Sequence, residues 1–217
     1  MIHPHTELRF INHEIGFGVF ATQFIPRGTL TWVCDELDQF VDPARVAVLP
    51  PFYRKLLDTY TFRDRLGRHV LRWDLARFMN HSCAPCCLGP DSTFEVAVRD
   101  IRPGDELTDD YASLHLQAHE SFRCHCGAAG CRQWVSADDV PRCEPEWERL
   151  IEVAMRLPTR VPQPLASILL DAVKHQRVGP IELEMLQPLV DQLYHRQSSL
   201  PALAIADGIP LSEAIRD

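Results

Sequence analysis

Three cysteines fall within eight residues in Cys124-His125-Cys126-Gly127-Ala128-Ala129-Gly130-Cys131. The glycines between them let a tight loop aim several sulfurs at one point. A Zn²⁺ ion takes four such ligands in a tetrahedron, at Zn–S distances of about 2.3 Å. This segment supplies three, so a fourth must come from elsewhere. The candidates are Cys83, Cys86 and Cys87, which form a second cluster. Four thiolates close the coordination sphere, so such a site is structural rather than catalytic. The second segment with chemical content is Arg77-Phe78-Met79-Asn80-His81-Ser82-Cys83-Ala84-Pro85. Alone, it suggests a cysteine nucleophile beside a histidine base, as in a hydrolase. Adjacent residues of an extended segment point in opposite directions, which counts against that reading. A thiol committed to zinc also cannot serve as a free nucleophile. The third segment is Glu106-Leu107-Thr108-Asp109-Asp110-Tyr111, after the turn Arg102-Pro103-Gly104-Asp105. Read alone, it is a strand running into a solvated acidic loop.

These segments need a scaffold, and the pattern around them is mostly β. Residues 8–24 read as short strands around a glycine turn, Gly16-Phe17-Gly18, and Pro26-Arg27-Gly28 reads as a further turn. Thr29 to Cys34 is β-branched and aromatic, which suits a strand. Pro50 and Pro51 open a predicted helix through Tyr60. Residues 69–73 and 94–99 read as strands, the latter from its near alternation of apolar and polar residues. From about residue 140 the apolar spacing becomes helical, through Trp147, Leu150, Ile151, Ala154 and Leu157 and then Leu165, Ile168, Leu169, Ala172 and Val173. Residues 180–196 continue in that style, with Pro188 predicted to kink or split the helix.

Composition bounds the function. The chain has 217 residues, with 46% hydrophobic and 24% charged. That is ordinary for a soluble globular protein. No stretch approaches the ~18 apolar residues of a membrane helix, and the first residues lack the pattern of a secretory signal. A cytoplasmic or otherwise intracellular protein without membrane contact is expected. A net charge of -8 makes direct nucleic-acid binding a poor fit, because phosphate contacts need clustered Lys and Arg. It suits a basic partner instead. Eight cysteines in such a chain point to a metal or reactive thiols rather than disulfides. Twenty arginines against two lysines, Lys55 and Lys174, read as the codon use of a GC-rich, bacterial genome.

Taken together, Gly16-Phe17-Gly18, Arg77 to Cys83, Gly104 to Tyr111 and Cys124-x-Cys126-x4-Cys131-Arg132 resemble the SET-domain protein lysine methyltransferase family with a post-SET zinc loop, in a small bacterial-type form. The resemblance covers about residues 7–135. It implies a mainly β fold with some α, built of several small sheets and pseudoknotted, so that residues 77–83 lie beside residues 106–111. An α-helical C-terminal extension follows. The division implied is a SET domain over 1–117, a post-SET zinc loop over 118–135 and the helical extension over 136–217. The extension is expected to pack on the body or against a second copy, as a homodimer.

The resemblance also implies roles. S-adenosylmethionine would be the methyl donor and Zn²⁺ the structural metal. Gly16, Phe17 and Gly18 would lie along the cofactor through their backbone, where glycine allows close approach. Asn80 and His81 match the pair that grips the cofactor, with Arg77 and Phe78 counted beside them. Tyr111 matches the catalytic tyrosine. Cys83 becomes the fourth zinc ligand, with Cys124, Cys126 and Cys131. Trp134 would pack on the cofactor or close the lysine channel. Two positions depart from the family pattern. Cys86 follows Pro85 where the family commonly has Asn, and Asp109 stands where it often has the Phe or Tyr that limits how many methyls fit. The substrate would be a lysine of a basic protein or peptide. A desolvated aromatic channel disfavours its ammonium form, and Trp32, Tyr53, Tyr60 and Phe62 are the candidate walls. The competing reading is a zinc-stabilised SET-like binding module with little or no catalysis.

Overall fold

The computed structural model describes residues 1–117 and 119–199. The remainder of the predicted extension, 200–217, lies outside the described residues. A hairpin of β1 (Thr6–Asn12) and β2 (Gly16–Ala21) opens the chain. It turns at Gly16, whose φ of 82° is the left-handed region that favours glycine. Then come β3 (Leu30–Val33), β4 (Gln39–Val41), the helices α1 (Pro43–Val48) and α2 (Pro51–Tyr60), and strands β5 (Thr61–Arg63) and β6 (His69–Leu71). Short strands β7 (Asn80–His81), β8 (Cys87–Leu88), β9 (Phe94–Ala97) and β10 (Glu106–Asp109) complete the main β body. A two-stranded ribbon of β11 (Phe122–Arg123) and β12 (Trp134–Val135) precedes helices α3 (Val140–Met155), α4 (Ala166–Lys174) and α5 (Pro180–Ser199). No helix among the described residues is long and apolar enough to cross a membrane.

The strands form small sheets ordered β1-β2-β10-β7, β3-β9-β8, β4-β6-β5 and β11-β12. The decisive pairing is parallel, with Thr108 opposite Asn80 and Asp109 opposite His81. Further backbone bonds extend it, from Ser82 N–H to the Asp109 carbonyl (2.8 Å) and from Cys86 N–H to the Thr108 carbonyl (3.1 Å). On its other side β10 pairs with β2, Leu107 facing Val19. The glycine hairpin, the Asn-His segment and the strand leading to Tyr111 therefore share one sheet. Cys86, the departure from the family's Asn, is fully buried and its sulfur accepts the Thr108 N–H at 3.2 Å. The thiol thus ties this loop to β10.

The helical extension is not an appendage. Leu30, Phe94 and Val96 of the β3-β9-β8 sheet belong to one buried apolar cluster with Trp147, Ile151, Leu169, Leu186 and Val190. Gln163 stitches the same junction, accepting the Leu30 N–H at 2.9 Å and donating to the Gly28 carbonyl at 2.8 Å. Gly28 leaves no room for a side chain, since a Cβ there would stand 2.6 Å from the Leu157 Cβ. A second cluster of Ile2, Val19, Ile25, Trp32, Met79, Ile101 and Leu107 fills the space under the hairpin sheet. Of the kink or split expected at Pro188, the split does not occur: α5 runs through it. Pro188 and Glu184, whose carbonyl loses its donor, both lie on the exposed face, where an unpaired carbonyl costs less than it would in the core. Leu186, Leu189 and Val190 stay buried on both sides of it.

Candidate active site

The sulfurs of Cys83, Cys124, Cys126 and Cys131 all lie within 4.8 Å of one another, and Cys83 and Cys124 are 3.7 Å apart. A tetrahedron with Zn–S bonds of about 2.3 Å has S···S edges of about 3.8 Å. The four can therefore close around a metal ion with small adjustments. Burial holds the Cys83 and Cys124 thiols above their ordinary pKa, against N–H donors that stabilise negative charge on sulfur. Backbone N–H groups of Cys83, Cys126, Arg132 and Gln133 each point at one of the sulfurs at 3.4 Å, and the Arg132 Nε adds another to Cys83. Burial opposes charge on Cys126, but the N–H groups of Cys83 and Ala128 outweigh it and bring its pKa down to about 6. Cys86 and Cys87 stand apart, buried in and beside β8.

His81 links this cluster to Tyr111. Its Nδ1 accepts the Tyr111 N–H at 3.1 Å. The neutral ring then carries its proton on Nε2, which donates to the Cys83 sulfur at 3.3 Å. Burial pushes the His81 pKa down to about 4, in keeping with that neutral tautomer. Asp110 adds a second tie, taking Arg132 at 2.6 Å and the Trp147 indole N–H at 3.2 Å. The Tyr111 hydroxyl donates to the Met79 carbonyl at 2.7 Å. Burial first, then the Asp109 carboxylate, raise its pKa above the ordinary tyrosine value. The phenol remains protonated at any physiological pH.

Two cavities of about 480 Å³ flank this tyrosine. The polar one is lined by Asn80, His81, Glu106 and Arg123; the aromatic one by Tyr60, Phe62, Arg72 and Asp109. Tyr111 and Phe122 line both. Their ring centroids are 5.9 Å apart, and Phe122 also meets His81 at 5.3 Å.

Of the residues singled out in the sequence, Asn80, His81 and Tyr111 meet in the polar cavity. Gly16, Phe17 and Gly18 lie beside it on β2, where the Asn80 amide donates to the Phe17 carbonyl (3.0 Å) and to Glu106 (2.7 Å). A Cβ on Gly18 would stand 2.4 Å from Glu106 Oε1 and 3.0 Å from Asn80 Nδ2. Arg77 lines the aromatic cavity instead. Phe78 packs between Phe17 and Tyr60 and lines neither. Trp134 is 56% exposed and also lines neither; on the paired strand, Phe122 holds the place between the cavities. Tyr60 and Phe62 are walls, whereas Tyr53 is exposed and Trp32 is fully buried beneath Arg72. Sequence reasoning missed Phe122, whose one signal is its place two residues before the first loop cysteine.

Residues 16–112 match the SET domain. Over this segment, somewhat under half of its length, the chain is similar to SET domains. It is 40% identical over 88 residues to Histone-lysine N-methyltransferase 2D of Homo sapiens, covering 36% of this chain and 2% of that protein. It is 27% identical over 141 residues to Histone-lysine N-methyltransferase Set2 of Drosophila melanogaster, covering 59% and 6%. To Histone-lysine N-methyltransferase, H3 lysine-9 specific, of Schizosaccharomyces pombe it is 28% identical over 158 residues, covering 58% and 32%. The chain thus spans less than a third of the length of each of these relatives. The SET match ends at Ala112, just past the tyrosine, and the cysteine loop and the helices lie beyond it.

Proposed function

We propose that the protein methylates a lysine side chain of a basic protein, using S-adenosylmethionine in the polar cavity and admitting the lysine through the aromatic one. The observation that supports this is the shared wall: Tyr111 and Phe122 are where the two cavities meet. The polar cavity suits a charged, extended cofactor. Its size is in the range of small-molecule sites, and Gly18 packs directly against two of its lining side chains, Glu106 and Asn80. The bound cofactor supplies a methyl group on a sulfonium, a leaving group that needs no acid catalyst. The protein's work is then alignment and desolvation. Tyr60, Phe62 and Phe122 exclude water and disfavour an ammonium, so the lysine presents its lone pair. The same ring faces hold a methylated product by cation–π attraction. Tyr111, its hydroxyl anchored on the Met79 carbonyl, would hold its ring and phenol oxygen at the wall the two cavities share. An all-sulfur, four-ligand set is best matched by Zn²⁺, which would brace the 118–135 loop as a post-SET element between the SET domain and the helical extension. The net charge of -8 would steer a basic substrate in.

The test is tritiated S-adenosylmethionine with purified core histones, beside calorimetry of cofactor binding. Micromolar binding with label on histone lysines is expected. Absence of both binding and label would overturn the proposal, and binding without label would direct the search to other basic proteins. Gly18→Ala is expected to weaken cofactor binding in the same calorimetry by roughly tenfold or more, about 1.4 kcal/mol, because its methyl displaces the Asn80 amide and the Glu106 carboxylate. Unchanged affinity would move the cofactor away from β2.

A further inference from the structure

The aromatic cavity has two walls that are distant in the chain. Tyr60, Phe62, Arg63 and His69 come from α2, β5 and β6, whereas Leu116, Glu120 and Phe122 come from the stretch after Tyr111. Two buried lining residues, Arg72 and Asp109, form a set with Glu95: Arg72 bonds to Glu95, and its Nη1 is 3.5 Å from Asp109 Oδ2. That set stays within the main β body. Among the described residues, one side-chain hydrogen-bonded link joins the two walls directly, from Arg63 to Glu120. Arg63 Nη2 donates to Glu120 Oε1 at 2.7 Å, and Nε donates to the same oxygen at 3.2 Å. Glu120 Oε2 accepts the Gln117 N–H at 2.7 Å, which fixes the carboxylate on its own side. Both side chains are partly buried, so the pair is less screened than a surface one.

Arg63 is itself propped. The antiparallel register of β5 and β6 sets it opposite His69, and opposed side chains leave the same face. Thr61, two residues earlier, shares that face. The Thr61 hydroxyl gives its one proton to the Leu57 carbonyl at 2.6 Å. Toward His69 it can only accept, so Nδ1, 2.7 Å away, carries the ring proton. Nε2 keeps a lone pair and accepts from Arg63 Nη1 at 2.8 Å. His69 is 3% exposed. Burial first, then the Arg63 charge, hold its pKa below the ordinary histidine value, against the pull of Asp58 and Glu120. Arg72, Arg77, Asp109, Tyr111 and His119 are the remaining ionisable groups lining the cavity. A chain of bonds thus runs from Leu57 on α2 through Thr61, His69 and Arg63 to Glu120, and every donor meets an acceptor. It closes only while His69 is neutral. A proton on Nε2 would set N–H against N–H and place a second cation beside the first.

We infer that Arg63, propped by His69, is a positioning residue that clamps the two walls of the aromatic cavity through Glu120, and that protonation of His69 opens the clamp. The role given to the cavity rests on the methyltransferase reading above; the clamp itself does not. Closed, the pair keeps Tyr60 and Phe62 on one wall at a fixed distance from Phe122 on the other, so an entering amine is desolvated from both sides. Open, the walls can part and water enters. The loss falls on capture of the lysine substrate. It spares the cofactor, because neither Arg63 nor Glu120 lines the polar cavity and Phe122 stays paired with Val135.

The test compares wild type with Arg63→Ala, Glu120→Ala, the double variant and His69→Gln. The glutamine amide can accept from Arg63 and donate to Thr61, but it takes up no proton. One arm needs no turnover. It measures amide hydrogen exchange from His119 to Ser121, corrected for the intrinsic pH dependence. Each alanine variant is expected to speed exchange about tenfold, as befits a lost charge-assisted hydrogen bond. The double variant is expected to go no further, since its two halves act as one unit. Wild type is expected to speed up as pH falls below the ordinary histidine value of about 6.5, and His69→Gln to stay slow over the same range. The other arm measures KM for core histones beside calorimetry of S-adenosylmethionine. Arg63→Ala is expected to raise the KM about tenfold with cofactor affinity little changed. Additive effects of the two alanine variants on exchange, or an unchanged KM in Arg63→Ala, would overturn the inference. So would acid opening shared by His69→Gln, which would trace the opening to the metal site. A wild type that binds no S-adenosylmethionine overturns the methyltransferase reading instead, and the exchange arm still decides the clamp.

Discussion

Replacing Tyr111 with phenylalanine is expected to lower methyl transfer by about two orders of magnitude or more, the range for a group acting on the reacting atoms. Affinity for S-adenosylmethionine is expected to change little. The ring stays, and with it the edges against His81 and Phe122 at 5.5 and 5.9 Å. What goes is one hydroxyl and its bond to the Met79 carbonyl. The loss therefore belongs to the rate constant, and single-turnover labelling at saturating cofactor reads it. Because burial and Asp109 raise the phenol's pKa, activity of the wild type is not expected to fall from tyrosine ionisation as pH rises through about 10, the ordinary tyrosine value. Equal labelling by wild type and Tyr111→Phe would remove this side chain from the chemistry.

Removal of the metal is expected to abolish cofactor binding as well as turnover. Three of the four sulfurs come from the loop between β11 and β12, and the fourth, Cys83, comes from the end of β7. Without an ion, thiolates gathered within 4.8 Å repel one another or take up protons, and the tie between loop and body is cut. Phe122 leaves with the loop, and both cavities lose a wall at once. Structural zinc sites contribute about 10–16 kcal/mol in small peptides. Here the apolar clusters lie largely outside the loop, so the body is expected to stay folded at a lower melting temperature. Metal analysis should find one zinc per chain. After chelation, or in Cys126→Ser, calorimetry should find no cofactor binding while circular dichroism keeps most of its signal. Full cofactor affinity in metal-free protein would separate the two sites.

The sequence revealed the ingredients of the site better than their arrangement. Cysteine spacing announced a sulfur site, but the residues left Cys83, Cys86 and Cys87 equal as the fourth ligand. Only the family resemblance favoured Cys83, and the parallel pairing of β7 with β10 is what carries that sulfur to the loop. Such a pairing joins residues 28 positions apart through two-residue registers, which leave no periodicity to read. The longer strands and helices α2 to α5 were legible because their apolar residues alternate or recur at helical spacing, whereas α1 and the two- and three-residue strands β4, β5, β7, β8, β11 and β12 are too short to carry a period. Pro188 left a kink or a split open because a proline's effect depends on which face it occupies, and that is set by packing. The Arg72–Glu95–Asp109 set was invisible for a related reason. In sequence, Arg72 and Glu95 look like the polar halves of two alternating strands, and Asp109 looks like part of a solvated loop. All three are turned inward by sheets that no local pattern describes.

The sheet of β3, β9 and β8 has one consequence for how small this protein can be made. Its apolar side chains are roofed by α3, α4 and α5, which begin after the matched family segment has ended. A fragment trimmed to residues 16–112 would bare Leu30, Phe94 and Val96 to water and clump with its own kind. The smallest piece able to stand alone is expected to reach far past Ala112, where the SET-domain match ends.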